Sequence, residues 1–235
     1  MKEIEALPLH SRPAPHTELA RRYRHLFAKS DFRISMATSS AFFVASWFVN
    51  YWAIRFATER ASNSVTDLIL SNVPVFDVDG LFVYGTFIVA AIGIGIVFWH
   101  PKQIPFALKS VALFWIIRSI FTSLTHAAPF DYHIASQFGS SVNNIFFGAD
   151  LFFSAHTGMP FLGALAFWKQ KGIRNVFLMG SLYFATIVLL GHLHYSIDVL
   201  SAFFITYGIF HIAVWLFPKD WELFYSEVPR ESDYP

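Results

Sequence analysis

Five stretches of this 235-residue chain contain no Asp, Glu, Lys or Arg: residues 34–54, 80–101, 151–168, 175–197 and 199–218. Each is long enough, or nearly so, to cross a bilayer, which takes ~20 mostly apolar residues in a helix. In hydrocarbon no water is available to backbone N–H and C=O groups, so a single segment can cross only as a helix that satisfies them internally. A sixth stretch, about 105–125, is interrupted by Lys109 and Arg118. Lys109 can snorkel to a membrane surface; Arg118 lies deeper and needs a reason. The composition agrees: 14% charged residues, against about 25% in soluble domains, with mean hydropathy +0.47. Residues 132–149 are also uncharged but rich in Ser, Asn, Gln and Gly, and read as a loop. The expected fold is an all-α integral membrane protein of six transmembrane helices, the last two separated only by a short bend near residues 193–198.

Lysines and arginines orient such a bundle, because cytoplasmic loops carry them in excess. Residues 1–33 hold seven, and Lys102, Lys109, Lys169, Lys171, Arg174, Lys219 and Arg230 follow at the same face. The other face has only Arg55 and Arg60, besides intramembrane Arg118. The N and C termini are therefore expected in the cytoplasm. The expected division is a basic cytoplasmic segment 1–33, a six-helix membrane domain 34–218 and a cytoplasmic tail 219–235. Within the first segment, "HTELARRYRHLF" places Leu19, Tyr23 and Leu26/Phe27 on one face opposite arginines. It reads as an interfacial helix or as a simple positive-inside signal. Helix 1 is expected to serve as a retained anchor, since no apolar stretch like a cleavable signal comes before Ile34.

Two segments carry chemistry. "GADLFFSAHTG" (148–158) opens the fourth helix with Asp150 at the membrane boundary and Ser154 and His156 one to two turns inside. "GHLHYSIDV" (191–199) places His194, Tyr195, Ser196 and Asp198 at the bend before the sixth helix. An i, i+4 spacing puts His194 and Asp198 on one helical face. A carboxylate there accepts the Nδ1 proton of the imidazole, fixing the tautomer and leaving Nε2 as a lone pair. At 1.5 Å per residue, the two histidines fall within ~6–10 Å of one depth. Ionisable groups inside a membrane are costly, so three at one depth point to a site.

Two imidazoles and an aspartate suit phosphoryl transfer. One histidine attacks phosphorus and becomes phosphohistidine; the other protonates the leaving alkoxide and then deprotonates the incoming alcohol. Arg118 can hold the phosphoryl oxygens or form a structural ion pair with Asp150 or Asp198. His192 reads as structural, since no carboxylate-rich ligand set accompanies the His-x-His pair. His211, His100 and His126 read as packing or interface residues. The chain has no cysteine, repeat or nucleotide-binding glycine loop, and a net charge of +1. No metal, cofactor or nucleic-acid partner is expected.

These motifs resemble the sphingomyelin synthase family, within the wider type 2 phosphatidic acid phosphatase superfamily. That family shows G-D-Y-L-F-S-G-H-T at one helix start and H-Y-T-x-D at a later bend. Asp150, Phe153, Ser154, His156 and Thr157 fit the first motif; His194, Tyr195 and Asp198 fit the second, with Ser196 keeping the hydroxyl. "RSIFTSLT" (118–125) and "NVPVFDVDG" (72–80) are looser echoes of the family's arginine-led motif and of a Pro-containing motif ending in Asp. Ala155 replaces the family Gly, and Ala149 precedes Asp150 after an extra residue. The resemblance covers roughly residues 73–199. It implies His194 as nucleophile, Asp198 as its orienter and His156 as acid/base, with Arg118, Asp150, Ser154 and Tyr195 as substrate-binding residues. It further implies transfer of phosphocholine or phosphoethanolamine from a phospholipid donor to ceramide or a similar lipid alcohol acceptor. The membrane would be the plasma or bacterial inner membrane, with the site on the outer or lumenal leaflet side. The rival readings are a lipid phosphate phosphatase using water, a small proton-coupled transporter and, more weakly, an intramembrane serine protease. A dianionic monoester asks for several cations, and those are scarce at the outer face; a singly charged phosphodiester asks for fewer.

Overall fold

The computed structural model describes residues 15–130 and 151–226. They form α1 (Pro15–Ala28), α2 (Ser30–Glu59), α3 (Asp79–Trp99), a 3-10 turn (Pro101–Gln103) running into α4 (Ile104–Leu124), α5 (Ala155–Ala166), α6 (Lys171–Leu190), α7 (Ser196–Leu216) and α8 (Pro218–Tyr225). No strand occurs among the described residues. The protein is all-α, and α2, α3, α4, α6 and α7 are long and apolar enough to cross a membrane.

The fourth expected span is shorter than its uncharged stretch. α5 has 12 residues, about 18 Å at 1.5 Å per residue, against a hydrocarbon core of ~30 Å. Residues 151–154 are not helical. Their carbonyls bond elsewhere: Phe152 O accepts from Thr122 Oγ1 at 2.8 Å and Phe153 O from Arg118 Nε at 2.7 Å. Ser154 then caps the helix, its Oγ accepting from Thr157 N at 3.4 Å. Among the described residues five helices thus meet the length criterion, and the sixth segment is a shorter helix held within the bundle.

Large apolar side chains cover the outside. Trp47, Phe87, Phe204 and Trp215 are among the exposed ones, as a hydrocarbon solvent requires. Helix contacts instead use small residues, which let backbones approach closely where no hydrophobic drive exists between helices. On α2, Ser39, Ser46 and Ala53 are buried at seven-residue intervals, and this helix packs chiefly on α4. On α5, Gly158 permits contact with both α4 and α7: a Cβ there would lie 2.7 Å from Thr206 Oγ1 and 2.9 Å from Phe114 Cε2.

The two ends of the bundle differ in kind. At the end carrying most of the basic residues, α1 docks through Tyr23, whose hydroxyl donates to Phe98 O at 2.9 Å. Lys109 does not reach out to the surface. It pairs with Asp220 of α8 at 2.6 Å, and Ser35 Oγ donates to the same carboxylate. Tyr225 OH donates to Ala166 O at 2.6 Å. α8 is therefore clamped beneath the bundle by a partly buried ion pair and a tyrosine. At the opposite end the termini of α2, α3, α4, α5, α6 and α7 converge, and the histidine motifs lie there.

Candidate active site

α6 ends in a Schellman motif, which sets the path of the bend. Leu193 N donates to Val188 O at 2.8 Å and His192 N to Leu189 O at 3.2 Å. His192 occupies the left-handed position with φ 53°, where Gly or Asn is usual. Its Nε2 lies 3.1 Å from Val73 O and its ring stands edge-on to Phe130. Gly191 is needed for a different reason: a Cβ there would sit 2.4 Å from Val78 Cγ2. The turn thus locks onto the loop before α3.

His194 leaves this turn just before α7. The sequence expectation of an i, i+4 helical pair gives the right partners through different geometry, because α7 begins only at Ser196. Tyr195 is the N-cap, and Asp198, three residues on, reaches back to accept from Tyr195 N at 3.0 Å. That is the carboxylate half of a capping box. The same Oδ2 lies 3.4 Å from His194 Nδ1. Asp198 is 2% exposed and His194 7%. A carboxylate this dry is held by backbone donor and imidazole together, and Nδ1 is the side of the ring it addresses. Among the described residues His194 Nε2 has no hydrogen-bond partner.

α5 reaches the same place from the other side. Ser154 N donates to Asp198 O at 3.2 Å, stitching the start of α5 to the first turn of α7. Two residues later, His156 stacks at a tilt on Phe82 of α3 (4.4 Å between centroids) and faces Phe184 of α6 at 5.6 Å. His194 and Arg118 lie within electrostatic reach of it. Arg118 is 1% exposed; its Nε bonds Phe153 O, and its guanidinium stands 5.9 Å from the Trp115 ring. Among the described residues it forms no ion pair with Asp198. Asp150 lies outside the described residues. The fold thus gathers His156, His194, Asp198 and Arg118 at one end of the bundle.

Ser154 and Tyr195 are fully or almost fully buried. The Ser154 hydroxyl is shared between Thr157 N and Thr157 Oγ1. Tyr195 OH donates to Ala128 O at 2.7 Å and accepts from Val65 N at 3.2 Å. Both hydroxyls tie the site to its frame.

The sequence does not single out Asp67, and gives Asp79 only as part of a loose motif echo. Asp67, in the loop between α2 and α3, receives Ser196 N at 2.7 Å and Ser196 Oγ at 2.8 Å on Oδ2, and Ile69 N and Leu70 N at 2.9 and 3.0 Å on Oδ1. It anchors the start of α7, and burial raises its carboxyl pKa while the donors from Leu70 and Ser196 lower it more, leaving it below its ordinary range. Its only local signal is that Asp often bonds the amides two and three residues on. Asp79, 6% exposed, begins α3 one turn before the Phe82 that touches His156. It ends the "NVPVFDVDG" echo, but nothing in the sequence sets its depth. Among the described residues no group of three or more His, Asp or Glu side chains gathers as for a metal ion.

Residues 148–215 match the family described as PAP2 superfamily C-terminal. The match begins just before the α5 motif and ends near the close of α7, so it takes in both histidines, Asp198 and the turn between them. The match supports an enzyme acting on a phosphoryl group, and the long apolar helices support a multi-pass membrane protein. No curated protein and no solved structure matches the chain.

Proposed function

We propose that this protein is a membrane lipid phosphotransferase that moves a phospho-head group, choline or ethanolamine phosphate, from a glycerophospholipid to ceramide or a similar lipid alcohol. The observation that carries the reading is the His194–Asp198 pair, buried at a capped helix start, with His156 and Arg118 beside it. His194 Nε2 attacks phosphorus, and the P–O bond to the diacylglycerol oxygen breaks. His156 gives its proton to that leaving oxygen. The acceptor hydroxyl then loses its proton to His156 and attacks the phosphohistidine; the N–P bond breaks and His194 returns to its neutral form. Asp198 keeps the Nδ1 proton in place and stabilises the imidazolium-like nitrogen throughout. Arg118 brings its positive charge to the phosphoryl oxygens, while Ser154 and Tyr195 hold the frame around the two histidines. Positive-inside asymmetry supports a topology with both termini in the cytoplasm and the reaction on the outer leaflet side.

Purified protein in mixed micelles is given a phospholipid labelled in its head group, with and without ceramide or diacylglycerol. An acceptor-dependent new phosphodiester lipid is expected, lost in His194→Ala together with the acid-labile phospho-protein. Asp198→Asn should cost less than His194→Ala, since it disturbs tautomer and orientation only; the triad precedent is ~10⁴ in rate. Release of inorganic phosphate from phosphatidic acid, with no acceptor-dependent product, makes the phosphatase reading correct. That reading is the one other the superfamily match favours.

A further inference from the structure

A cavity of about 390 Å³ runs through the bundle from His156. It lies between α3 and the α4–α5–α6 side, and α3 explains why it exists. The buried residues of α3 are Asp79, Phe82 and Val83, all in its first two turns. There Phe82 and Val83 pack with Phe184, Ile187 and Val188 of α6. From Tyr84 onward no residue of α3 is buried, and the space behind it is the cavity. On α5 the lining runs from His156 to Phe167, eleven residues or ~16 Å at 1.5 Å each. That is about half the ~30 Å hydrocarbon core, the depth of one leaflet. Ala90, Ile94 and Phe98 line the cavity and are also exposed, so it opens sideways towards lipid.

The wall is apolar except at His156, Thr86 and Ser110. The Thr86 hydroxyl is spent on Phe82 O at 2.7 Å. Ser110 Oγ is buried with no hydrogen-bond partner among the described residues. Beyond it the floor is aromatic, closed by Phe167, Phe177 and Phe224.

We infer that this cavity holds one hydrocarbon chain of the phospholipid donor, entering sideways past α3, and that its aromatic floor sets the chain length the enzyme accepts. The inference rests on the proposed function for what sits at His156, and on the cavity for the rest. A chain that leaves the bilayer for this cavity exchanges one apolar medium for another. The cavity therefore adds little affinity and works by shape: a chain longer than the space meets close-packed aromatic rings.

The probe is a phosphatidylcholine with a photoreactive diazirine either near the carboxyl or at the chain terminus, in phosphatidylcholine vesicles containing the protein. Crosslinked peptides are read by mass spectrometry, which needs no turnover. The near-carboxyl probe should mark Thr86 or Met159, and the terminal probe Ala166, Phe167 or Val97. Ala90→Phe fills the lumen ~12 Å below the level of Phe82, from an exposed position that leaves the core untouched. It should abolish the terminal-probe labels and lower the ratio of turnover on long-chain to short-chain donors by about tenfold. Ser110→Ala should leave that ratio unchanged, because a hydrocarbon makes no bond to the hydroxyl. Labels confined to lipid-facing residues such as Phe87 and Trp47 would overturn the inference, as would an Ala90→Phe protein with wild-type labelling and chain preference. A length preference lost in Ser110→Ala would also overturn it, since a polar group would then sit at that depth. Cavity labelling without any transferase product would keep the chain site and sink the proposed reaction instead.

Discussion

Asp67 should decide whether the catalytic turn holds its shape, although it is distant in sequence from both histidine motifs. Its carboxylate takes four donors, at 2.7, 2.8, 2.9 and 3.0 Å. Asp67→Ala strands the Ser196 amide at the start of α7 and two loop amides, all in a site where the aspartate is 7% exposed. Losing a helix-start acceptor costs ~1 kcal/mol. Hydrogen bonds to a charged group contribute ~1.5–3 kcal/mol each and do not add. A net loss of about 3–4 kcal/mol is expected, a large share of the ~5–15 kcal/mol typical of a domain. Asp67→Asn keeps one acceptor oxygen and should lose about 1–2 kcal/mol. The pH dependence separates charge from shape. Burial raises the carboxyl pKa, and the donors from Leu70, Ser196 and Ile69 lower it further than burial raises it, so the folded value is depressed. The stabilisation is then full above the ordinary carboxylate pKa and drains away as pH falls through the depressed folded value. Thermal unfolding in detergent, followed from neutral pH to about pH 3, should show wild type losing its margin over Asp67→Asn below about pH 4. Turnover of both variants at neutral pH should fall as well, because Ser196 and Asp198 share the first turn of α7. An Asp67→Ala protein with wild-type melting temperature and an unchanged pH profile would refute the reasoning.

His192→Ala should destabilise by about 1–2 kcal/mol, since Ala tolerates φ 53° poorly and the bond to Val73 O is lost; activity per folded molecule should stay within a few-fold of wild type, unlike that of His194→Ala. Gly158→Ala should cost about 1–3 kcal/mol by overpacking and lower turnover, because α5 must move off Thr206 and Phe114; melting and head-group transfer measured on one preparation check it. Lys109→Met leaves the Asp220 carboxylate partly buried without its cation, and should lose about 2–3 kcal/mol; Lys109→Met with Asp220→Leu should recover most of that melting temperature. Arg118→Lys should impair transfer more than it impairs folding, as a point charge replaces a planar two-pronged donor; a matched loss of both, read by turnover and melting, would make Arg118 a framework residue only.

The sequence alone determined the solvent, the all-α class and the helix positions to within a few residues, because hydrocarbon forbids unpaired backbone and charge along the whole of a span. It also paired His194 with Asp198, but through a helical i, i+4 spacing; the fold brings them together instead because the Asp198 carboxylate turns back to the Tyr195 cap. The length of α5 was not legible: an uncharged run says nothing about carbonyls drawn away by Thr122 and Arg118 from another helix. Nor was the fate of Lys109, which could snorkel alone but finds Asp220, 111 residues away. Asp67 and the cavity behind α3 were beyond the sequence for one reason. Each is defined by what packs against it from distant helices, and an apolar helix reads the same whether its inner face meets side chains or empty space.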